Sequence, residues 1–356
     1  MKKLYFLITA SLSLLASAQQ GAPASPYYNG FNWSLTGTQL RTALATLTQN
    51  KHTNNLTYSE VWDALQHTDL DPANTNNVLL IYGWENGTDS NVTNDRSRGK
   101  FNNGGNSGQW NREHTFAQAL GNPDLGQTGP GADAHHLRAC DVQRNNTRGN
   151  LKFNSGSGQA SGASGGGWYP GDEWRGDVAR MMMYMYLRYG SQCLPTLIGM
   201  GATTSTDANL PEIFLEWNAE DPVSQYEDNR NTYLGTTSNP YGQGNRNPFI
   251  DNPYLATMIW GGPVAQNRWP SLDAADYQWT MSVSVYPNPA HDRINISTDR
   301  EIDEIQVIAV NGQVIYRVTD PVFNGGTYSI ENLPSGFYLL RITDEGQSLV
   351  RKVIVN

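Results

Sequence analysis

Helical patterns of hydrophobic positions alternate with turn signals over residues 27–90. Leu40, Leu44 and Leu47 recur at the spacing of one helix face, which predicts an amphipathic helix there. A second helix is predicted over residues 58–65, where Thr57 can cap the N-terminus and a glutamate follows three residues later. The pattern therefore predicts a domain that contains amphipathic helices.

Further along the chain, strand, loop and helix patterns alternate. Residues 78–82 form a short apolar run that predicts a β-strand, whereas the polar, glycine-rich segments 86–108 and 155–167 predict loops. Residues 176–189 predict a strong helix, and its stripe of methionine and tyrosine is more typical of a hydrophobic core than of a cofactor site.

Short β-type runs separated by turns replace the helical pattern from about residue 281. The dipeptide Asn311-Gly312 between residues 304–310 and 313–318 is a strong hairpin signal. Four more β-type runs cover residues 282–286, 293–298, 337–343 and 349–355. Together they predict a small β-sandwich of at least six strands.

The chain begins with an apolar run from Leu4 to Leu15, between two lysines and the small residues Ala16-Ser17-Ala18. This composition is typical of a cleaved signal peptide, and the run is too short for the alternative, a membrane-spanning anchor. No other segment of the sequence could span a membrane. We therefore expect a signal peptide over residues 1–18, a main domain over 19–265, a linker over 266–280 and a β-domain over 281–356.

Composition narrows the class of protein. Hydrophobic residues make up 38% and aromatic residues 10% of the 356 residues, so a folded core is expected rather than disorder. The 35 glycines and 18 prolines indicate a loop-rich molecule, and the mixed patterns indicate an α+β fold. The net charge of −9 argues against a protein that coats nucleic acid broadly.

The chain contains only two cysteines, Cys140 and Cys193. An exported protein meets oxidising conditions, in which a single disulfide between them is favoured. The sequence does not show how far apart they lie, so two buried free thiols are the alternative.

Unusual side-chain chemistry concentrates in one central window. Glu113 and His114 are adjacent, a histidine-rich cluster begins at Asp133, and the run Asn-Asn-Thr-Arg-Gly-Asn begins at Asn145. Residues 96–152 hold eight basic and four acidic side chains, so this window carries +4 while the rest of the chain carries −13. A local positive site on an acidic body suits an anionic substrate.

Glu113 and His114 suit metal-assisted hydrolysis. A carboxylate together with an amide oxygen favours Mg²⁺ or Mn²⁺, and a neutral imidazole can take a proton from water. The sequence shows no cysteine and histidine spacing of the usual zinc type. On an extended strand the two side chains point to opposite faces, so a twist or bend at the strand end is needed to bring both to one site.

These segments resemble the endonuclease I family of exported bacterial nucleases, which carry a ββα-metal (His-Me finger) site. The resemblance covers about residues 27–260. Its main motifs lie at 110–114 and 145–150, with further matching runs at 176–180, 215–217, 221–223, 227–231 and 243–249.

The resemblance implies an α+β nuclease domain that hydrolyses phosphodiester bonds of DNA, with RNA as a second candidate substrate, and leaves 5′-phosphate ends. It implies Mg²⁺ as the cofactor, with Mn²⁺ as the alternative. The sequence contains no recognisable DNA-reading module such as a zinc finger, so cleavage with little sequence specificity is expected.

The resemblance also assigns roles to single residues. Glu113 matches the metal-binding carboxylate, His114 the general base, and Asn145 the second metal ligand. Arg148 lies one helical turn after Asn145, and we infer that it holds the scissile phosphate by a bidentate contact. The residues expected to support the site are Asp133, His135, His136, Arg138 and Asn150.

Two features depart from the family or stay open. Many relatives have a proline where this chain has Ala139, and an aromatic residue and a proline in place of Phe116-Ala117, which affects geometry rather than chemistry. The acidic residues of segment 172–177 are either carboxylates at a helix N-terminus or a second metal site, and the first interpretation is favoured.

The C-terminal β-domain has a resemblance of its own. Its runs at 286–290, 311–314 and 333–339 are similar to those of the C-terminal sorting domain of the type IX secretion system. The resemblance covers about residues 281–356 and implies the type IX machinery as partner and a secreted or cell-surface location. The alternative is a generic carbohydrate-binding or adhesion domain, but no aromatic ligand platform is recognisable.

Three functional hypotheses follow. The first is a secreted, metal-dependent endonuclease. The second is a surface adhesin or nucleic-acid-binding protein on an inactive nuclease scaffold, against which the complete set Glu113, His114 and Asn145 argues. The third is a hydrolase of another phosphodiester that uses the same metal chemistry.

Overall fold

The chain divides into two compact units, with the boundary between Arg268 and Trp269. The predicted signal peptide over residues 1–18 and residues 270–280 of the predicted linker lie outside the described part of the chain. The computed structural model describes residues 22–269, 283–291, 293–298, 301–344 and 347–356.

The first unit combines helices and short strands. The helices within its described residues are α1 (Gly37–Lys51), α2 (Glu60–Thr68), α3 (Val142–Arg148), α4 (Arg175–Tyr189), α5 (Glu212–Glu220), α6 (Gln225–Leu234), α7 (Pro248–Asp251) and α8 (Tyr254–Trp260). Its strands are β1 (Leu70–Asp71), β2 (Asn74–Leu79), β3 (Ser97–Gly99), β4 (Trp110–His114), β5 (Leu137–Asp141), β6 (Ser161–Gly162) and β7 (Trp168–Tyr169).

The predicted helices are present with small shifts at their ends. Helix α2 begins at Glu60 rather than at residue 58, and the expected capping contacts form, because the Thr57 amide donates to Glu60 Oε2 at 2.8 Å while the Glu60 amide donates to Thr57 Oγ1 at 3.2 Å. Helix α4 is buried over most of its length, including Met181, Tyr184 and Met185. The methionine and tyrosine stripe therefore belongs to the core, as predicted.

The strand predicted over residues 78–82 was placed too late. Strand β2 ends at Leu79, and Tyr82 has a φ of 71°, which lies in the left-handed region and ends any extended conformation. The segment 86–108, predicted as loop, contains the short strand β3, which pairs with β2. Burial of residues 78–82 on all sides explains the error, because a continuous apolar run does not distinguish a strand from a buried turn.

Strands β4 and β5 form an antiparallel pair that leads directly into helix α3. Asp141, the last residue of β5, accepts hydrogen bonds on Oδ1 from the amides of Gln143 and Arg144, at 2.9 and 3.0 Å, and so caps α3. Its Oδ2 pairs with Arg98 at 2.7 Å. The turn from strand to helix is thereby held in one orientation.

One hydrophobic core anchors this strand pair. Leu65 of α2, Val78 of β2, Trp110 of β4, Leu137 of β5 and Leu234 of α6 all belong to one buried cluster. Burial of such side chains stabilises by about 1.5–3 kcal/mol each. The strand pair and the helix that follows it therefore rest on a rigid base.

The second unit is all-β. Its strands within the described residues are β8 (Ser284–Tyr286), β9 (Arg293–Ser297), β10 (Glu304–Ala309), β11 (Val314–Thr319), β12 (Thr327–Glu331), β13 (Gly336–Asp344) and β14 (Gln347–Val355). They form two antiparallel sheets, with orders β11-β10-β13-β14 and β12-β9-β8. Ile294 and Ile330 of the smaller sheet share one core with Ile305 and Leu340 of the larger, so the two sheets pack together.

The predicted strands of this unit are present, and one was missed. The hairpin β10–β11 turns at Asn311-Gly312, where Gly312 has a φ of 87° that favours glycine. Strand β12 escaped prediction because its outward-facing positions are polar and only Ile330 is buried.

Candidate active site

Three of the predicted site residues line one open cavity of about 270 Å³ in the first unit. Glu113 and His114 come from the end of β4, and Asn145 comes from α3. Arg148 and Asn150 also reach it. The full lining is Arg112, Glu113, His114, Ala117, Gln118, Asn145, Asn146, Arg148, Gly149 and Asn150.

Glu113 is 2% exposed, and one of its oxygens is fully engaged. Oε1 accepts hydrogen bonds from the Tyr82 hydroxyl and from Arg148 Nη1, both at 3.0 Å. Oε2 accepts none from the described residues. Burial raises the pKa of Glu113 to about 7, although Arg148 and the Tyr82 hydroxyl lower it in part. A cation at Oε2 would compensate for this burial.

The hydrogen bond of His114 determines its tautomer. Nε2 lies 2.9 Å from the carbonyl oxygen of Gly131, which can only accept, so Nε2 carries the hydrogen. Nδ1 therefore keeps its lone pair, and it bonds to no described residue. The ring stacks on Tyr58 at 5.4 Å between centroids. Burial, followed by the nearby His136, lowers the pKa of His114 to about 3, so the imidazole is neutral at pH 7.

Asn145 presents an amide oxygen in the same cavity. Its Nδ2 donates to Asn111 Oδ1 at 2.8 Å and more weakly to the Arg112 carbonyl at 3.4 Å. These contacts orient the amide and leave Oδ1 without a hydrogen bond to the described residues. The oxygen, rather than the nitrogen, is thus available to a ligand.

The oxygens of Glu113 and Asn145 fit a hard divalent cation, since carboxylate, amide and water oxygens are the preferred ligands of Mg²⁺ and Mn²⁺. Within the described residues, no group of three or more His, Cys, Asp or Glu side chains could hold a metal. A cation here would rely on Asn145 and water beside the single carboxylate. Because His114 ends β4, both neighbouring side chains reach the cavity despite the alternation of a strand.

The side chain of Arg148 is engaged inside the protein. It is 1% exposed, and Nη1 donates to Glu113 and to the His114 carbonyl while Nη2 donates to the Thr115 carbonyl at 2.8 Å. Both terminal nitrogens are therefore used inside the protein. In this arrangement Arg148 joins α3 to the end of β4, and its predicted contact with a phosphate stays a prediction.

Arg112 lines the cavity in a different setting. Its guanidinium carbon lies 3.6 Å from the ring centroid of Tyr58 and 4.3 Å from that of Trp62, and Nη1 donates to the Tyr58 carbonyl. No carboxylate of the described residues pairs with it, and burial lowers its pKa.

A family model described as Endonuclease I matches residues 36–254, which contain the whole cavity. The chain belongs to the endonuclease I family. The predicted family is confirmed, and the protein is a nuclease. Members of this family generally depend on a divalent metal.

Two curated relatives of the chain are named extracellular ribonucleases. The chain is 43% identical over 260 residues to an extracellular ribonuclease of Bacillus subtilis (strain 168), covering 70% of this chain and 83% of the relative. It is 43% identical over 233 residues to an extracellular ribonuclease of Bacillus amyloliquefaciens, covering 63% and 74%.

A second family model, the secretion system C-terminal sorting domain, matches residues 284–356. This confirms the predicted sorting domain, which points to the type IX secretion machinery and to a secreted or cell-surface nuclease. A solved structure of PorZ, a surface component of the type-IX secretion system of Porphyromonas gingivalis, matches 23% of this chain and 12% of its own at 17% identity. Its TM-score of 0.19 is too low for a comparison of folds. No helix of the described residues is long and apolar enough to cross a membrane.

The predicted supporting residues of the nuclease occupy different places. Asn150 lines the cavity. Asp133 lies in a separate buried network, where it accepts hydrogen bonds from Tyr184 and Tyr189 at 2.7 and 2.8 Å and pairs with Arg188 at 3.3 Å. His135 Nε2 lies 3.0 Å from the Asn245 carbonyl.

His136 and Arg138 are also buried. The His136 ring lies 5.6 Å from the His114 ring, and its Nε2 lies 2.7 Å from the Pro130 carbonyl. Arg138 pairs with Asp177 at 3.0 Å and with Asp69 at 3.5 Å. His136 thus packs behind the site, whereas Arg138 joins the core.

The expected disulfide is absent, since Cys140 and Cys193 are both buried free thiols. Cys140 lies within β5, where its thiol donates to the Ile81 carbonyl at 3.5 Å, and Cys193 lies in a turn after α4. Burial raises the pKa of both thiols, that of Cys193 to about 12, which suppresses the reactive thiolate.

The acidic residues of segment 172–177 do not gather around one point. Asp172 accepts from the Tyr169 hydroxyl, Glu173 pairs with Arg96 at 2.6 Å, and Asp177 pairs with Arg138. Each carboxylate therefore has its own partner, and the segment gives no support to a second metal site.

Four site contacts were missed from the sequence. Tyr82 holds Glu113, Tyr58 stacks on His114, Gly131 orients His114, and Asn111 orients Asn145. Only Asn111 had a signal, because it lies inside the motif at 110–114. The other three lie in chain segments that no local pattern connects to the motif.

Proposed function

We propose that this secreted nuclease hydrolyses phosphodiester bonds of RNA and DNA, with residues 110–148 acting as a ββα-metal site. The observation that carries the proposal is the common cavity of Glu113, His114 and Asn145, in which the histidine is neutral and correctly oriented. Glu113 Oε2 and Asn145 Oδ1 accept no hydrogen bond from the described residues, so both oxygens are available to a cation.

His114 acts as the general base. Because Nε2 donates to the Gly131 carbonyl, Nδ1 accepts the proton of a water molecule. The resulting hydroxide attacks phosphorus in line with the leaving 3′-oxygen, and the product keeps a 5′-phosphate. As the ring gains charge, the Gly131 carbonyl stabilises it through the same hydrogen bond.

Glu113 and Asn145 would hold a divalent cation, Mg²⁺ or Mn²⁺. When bound, the cation supplies positive charge to the phosphate and to the leaving oxygen. Tyr82 and Arg148 fix the Glu113 carboxylate, and Asn111 fixes the Asn145 amide, so the ligand oxygens are oriented before binding.

Two arguments support the breadth of substrates. The relatives are named extracellular ribonucleases, which favours RNA. The cavity residues offer contacts to phosphate rather than a base-reading module, and phosphate contacts do not distinguish sequence. We propose that both nucleic acids are cut without sequence preference, after export in which residues 1–18 are removed.

The test uses the chain from Gln19 onward and its His114→Ala variant. Supercoiled plasmid and RNA are incubated with Mg²⁺, with Mn²⁺ or with EDTA, and binding is measured separately. We expect both polymers to be cut only with metal, and the variant to bind them but lose cleavage by at least about a hundredfold. Exposed His67 on α2 offers the matched control, since His67→Ala should keep full activity.

Four other results would each contradict or restrict a part of the proposal. Full cleavage by His114→Ala would exclude it as the base. Cleavage in EDTA would exclude the metal. Cleavage of RNA alone would restrict the substrate class, and cleavage of neither polymer would contradict the proposed function.

A further inference from the structure

With Arg148 engaged inside the protein, the cavity needs another group to bind the substrate phosphate. Among its lining residues the charged side chains are Arg112, Glu113 and Arg148. Arg148 and Glu113 pair with each other at 3.0 Å. Arg112 is thus the cation of the lining that no carboxylate of the described residues neutralises.

A second stacked arginine shows what Arg112 lacks. Arg41 of α1 lies 3.9 Å over the Tyr186 ring and 5.9 Å from that of Trp260, and it also pairs with Asp207 at 3.1 Å. Arg112 has the closer aromatic stacking but no acid. Its Nε is buried without a hydrogen bond, and its Nη2 has none to the described residues.

Buried donors of this kind normally have a partner. Nη2, unlike Nε, is not enclosed by the protein, so it can donate to a phosphate oxygen, and stacking on aromatic rings holds the plane of the guanidinium. The contact between Arg112 Nη1 and the Tyr58 carbonyl fixes the third nitrogen. The arginine is therefore pre-oriented for an anion.

The position of Arg112 relates this anion to the reaction. Arg112 and His114 are two residues apart on β4, and both side chains line the cavity. The Tyr58 ring contacts both, at 3.6 Å to the guanidinium and 5.4 Å to the imidazole. An anion on Arg112 would lie beside the general base.

We propose that Arg112, stacked on Tyr58 and Trp62, binds the phosphate at which His114 acts. This inference rests on the proposed nuclease function. It replaces Arg148 by Arg112 as the phosphate-binding arginine and gives the aromatic pair a role in the site.

Salt dependence of binding provides the test. A 12-nucleotide single strand is bound to the full-length protein in EDTA, so that it stays intact, at several salt concentrations. Each phosphate contact contributes about 0.7 to the slope of log K against log salt, so Arg112→Gln should make the slope shallower by roughly that amount. In Mg²⁺, its kcat/KM should fall roughly tenfold to a hundredfold.

Three variants make the result specific. Arg41→Gln removes a stacked arginine outside the cavity and should leave slope and activity unchanged. Arg112→Lys keeps the charge and should keep the slope, while kcat/KM falls because the planar group that stacks on Tyr58 and Trp62 is lost. Arg112→Met keeps the packing on Tyr58 and Trp62. It replaces Arg112→Gln if the Gln variant does not fold, and it should show the same shallower slope.

A wild-type slope in the Gln or Met variant would overturn the proposal, as would a wild type that does not bind the strand. A wild type that binds but does not cleave would contradict the proposed function instead. In that case the slopes would still decide whether Arg112 binds phosphate.

Discussion

At the scale of single residues, access to the cavity and neutralising partners, rather than residue type, distinguish the proposed functional side chains from structural ones. His114 and His136 both bond through Nε2 to a backbone carbonyl, yet only His114 lines the cavity. Arg112 and Arg148 lie in the same cavity, but only Arg148 is neutralised by a carboxylate. Residue type alone would treat each pair alike.

Tyr82 offers a direct test of the support for Glu113. Tyr82→Phe removes the hydroxyl that donates to Oε1 at 3.0 Å and leaves Arg148 as the remaining partner. Loss of an outer partner of a metal ligand typically costs about tenfold to a hundredfold in metal affinity or activity. We expect the Mg²⁺ concentration for half-maximal cleavage to rise by that order.

Tyr184→Phe is the matched control for this prediction. Tyr184 is also fully buried and donates to a carboxylate, that of Asp133, at 2.7 Å, but it does not line the cavity. Tyr184→Phe should lower the stability of the protein without changing the Mg²⁺ concentration for half-maximal cleavage. An unchanged requirement in Tyr82→Phe would show that its hydroxyl does not support metal binding.

At the scale of elements, the connection between β4 and β5 acts as a part of the site. Pro130 and Gly131 supply the carbonyls that bind His136 and His114. Gly131 packs so tightly that an added Cβ would overlap the carbonyl oxygen of Gly126. The strand pair presents His114, the proposed base, and the connection determines which of its nitrogens keeps a lone pair.

We predict that Gly131→Ala lowers kcat in a protein that still folds. The new methyl group forces the turn away from Gly126 and moves the carbonyl that orients His114. Misplacement of a catalytic group by about 1 Å can cost about a hundredfold, so kcat should fall at least tenfold. Steady-state kinetics and thermal unfolding of the same samples measure both effects.

Gly105 serves as the control position. It lies in a loop where an added Cβ meets no atom within 4 Å, so Gly105→Ala should preserve activity. Wild-type kcat in a folded Gly131→Ala variant would show that the carbonyl position does not matter for catalysis.

At the scale of the whole first unit, buried charges connect segments that are far apart in the chain. Arg230 of α6 pairs with Asp69, Arg138 of β5 pairs with Asp177 of α4, and Arg180 pairs with Glu227 at 2.6 Å. Breaking one such pair is costly, because it leaves a buried charge without a partner. The network holds the helices that surround the strand pair.

Buried neutral histidines make the stability of this unit depend on pH. Burial lowers the pKa of His135 to about 4, while an unfolded histidine has a pKa near 6.5. Between these values the unfolded chain binds a proton that the native protein does not, so the contribution of His135 to stability falls as pH falls from about 6.5 to 4. The loss reaches about 3 kcal/mol.

Comparison with His135→Asn isolates this contribution. Buried carboxyl groups titrate in both proteins and cancel in the difference of their free energies of unfolding. From urea unfolding between pH 7.5 and pH 4.5, we expect the advantage of the wild type to shrink as the pH falls. A difference that stays constant over this range would contradict a neutral, buried His135.

Local patterns determined much of the fold. The capping contacts of α2, the buried stripe of α4 and the Asn-Gly hairpin β10–β11 follow from residues within a few positions of one another. The family and its motifs were likewise accessible, because Glu113 and His114 are adjacent and Asn145 opens a continuous run. Local structure of this kind depends on residues a few positions apart, so it can be predicted from their spacing.

Only the tertiary structure decided which partners each site residue has. Glu113 meets Tyr82 across 31 positions, and His114 meets Gly131 across 17. Helical spacing placed Arg148 near Asn145 but could not show that Glu113 and the strand-end carbonyls already engage it. Likewise, Cys140 and Cys193 remain separate thiols because packing placed them in different buried surroundings. Such contacts depend on how distant segments pack against each other, and the local hydrophobic pattern does not determine that packing.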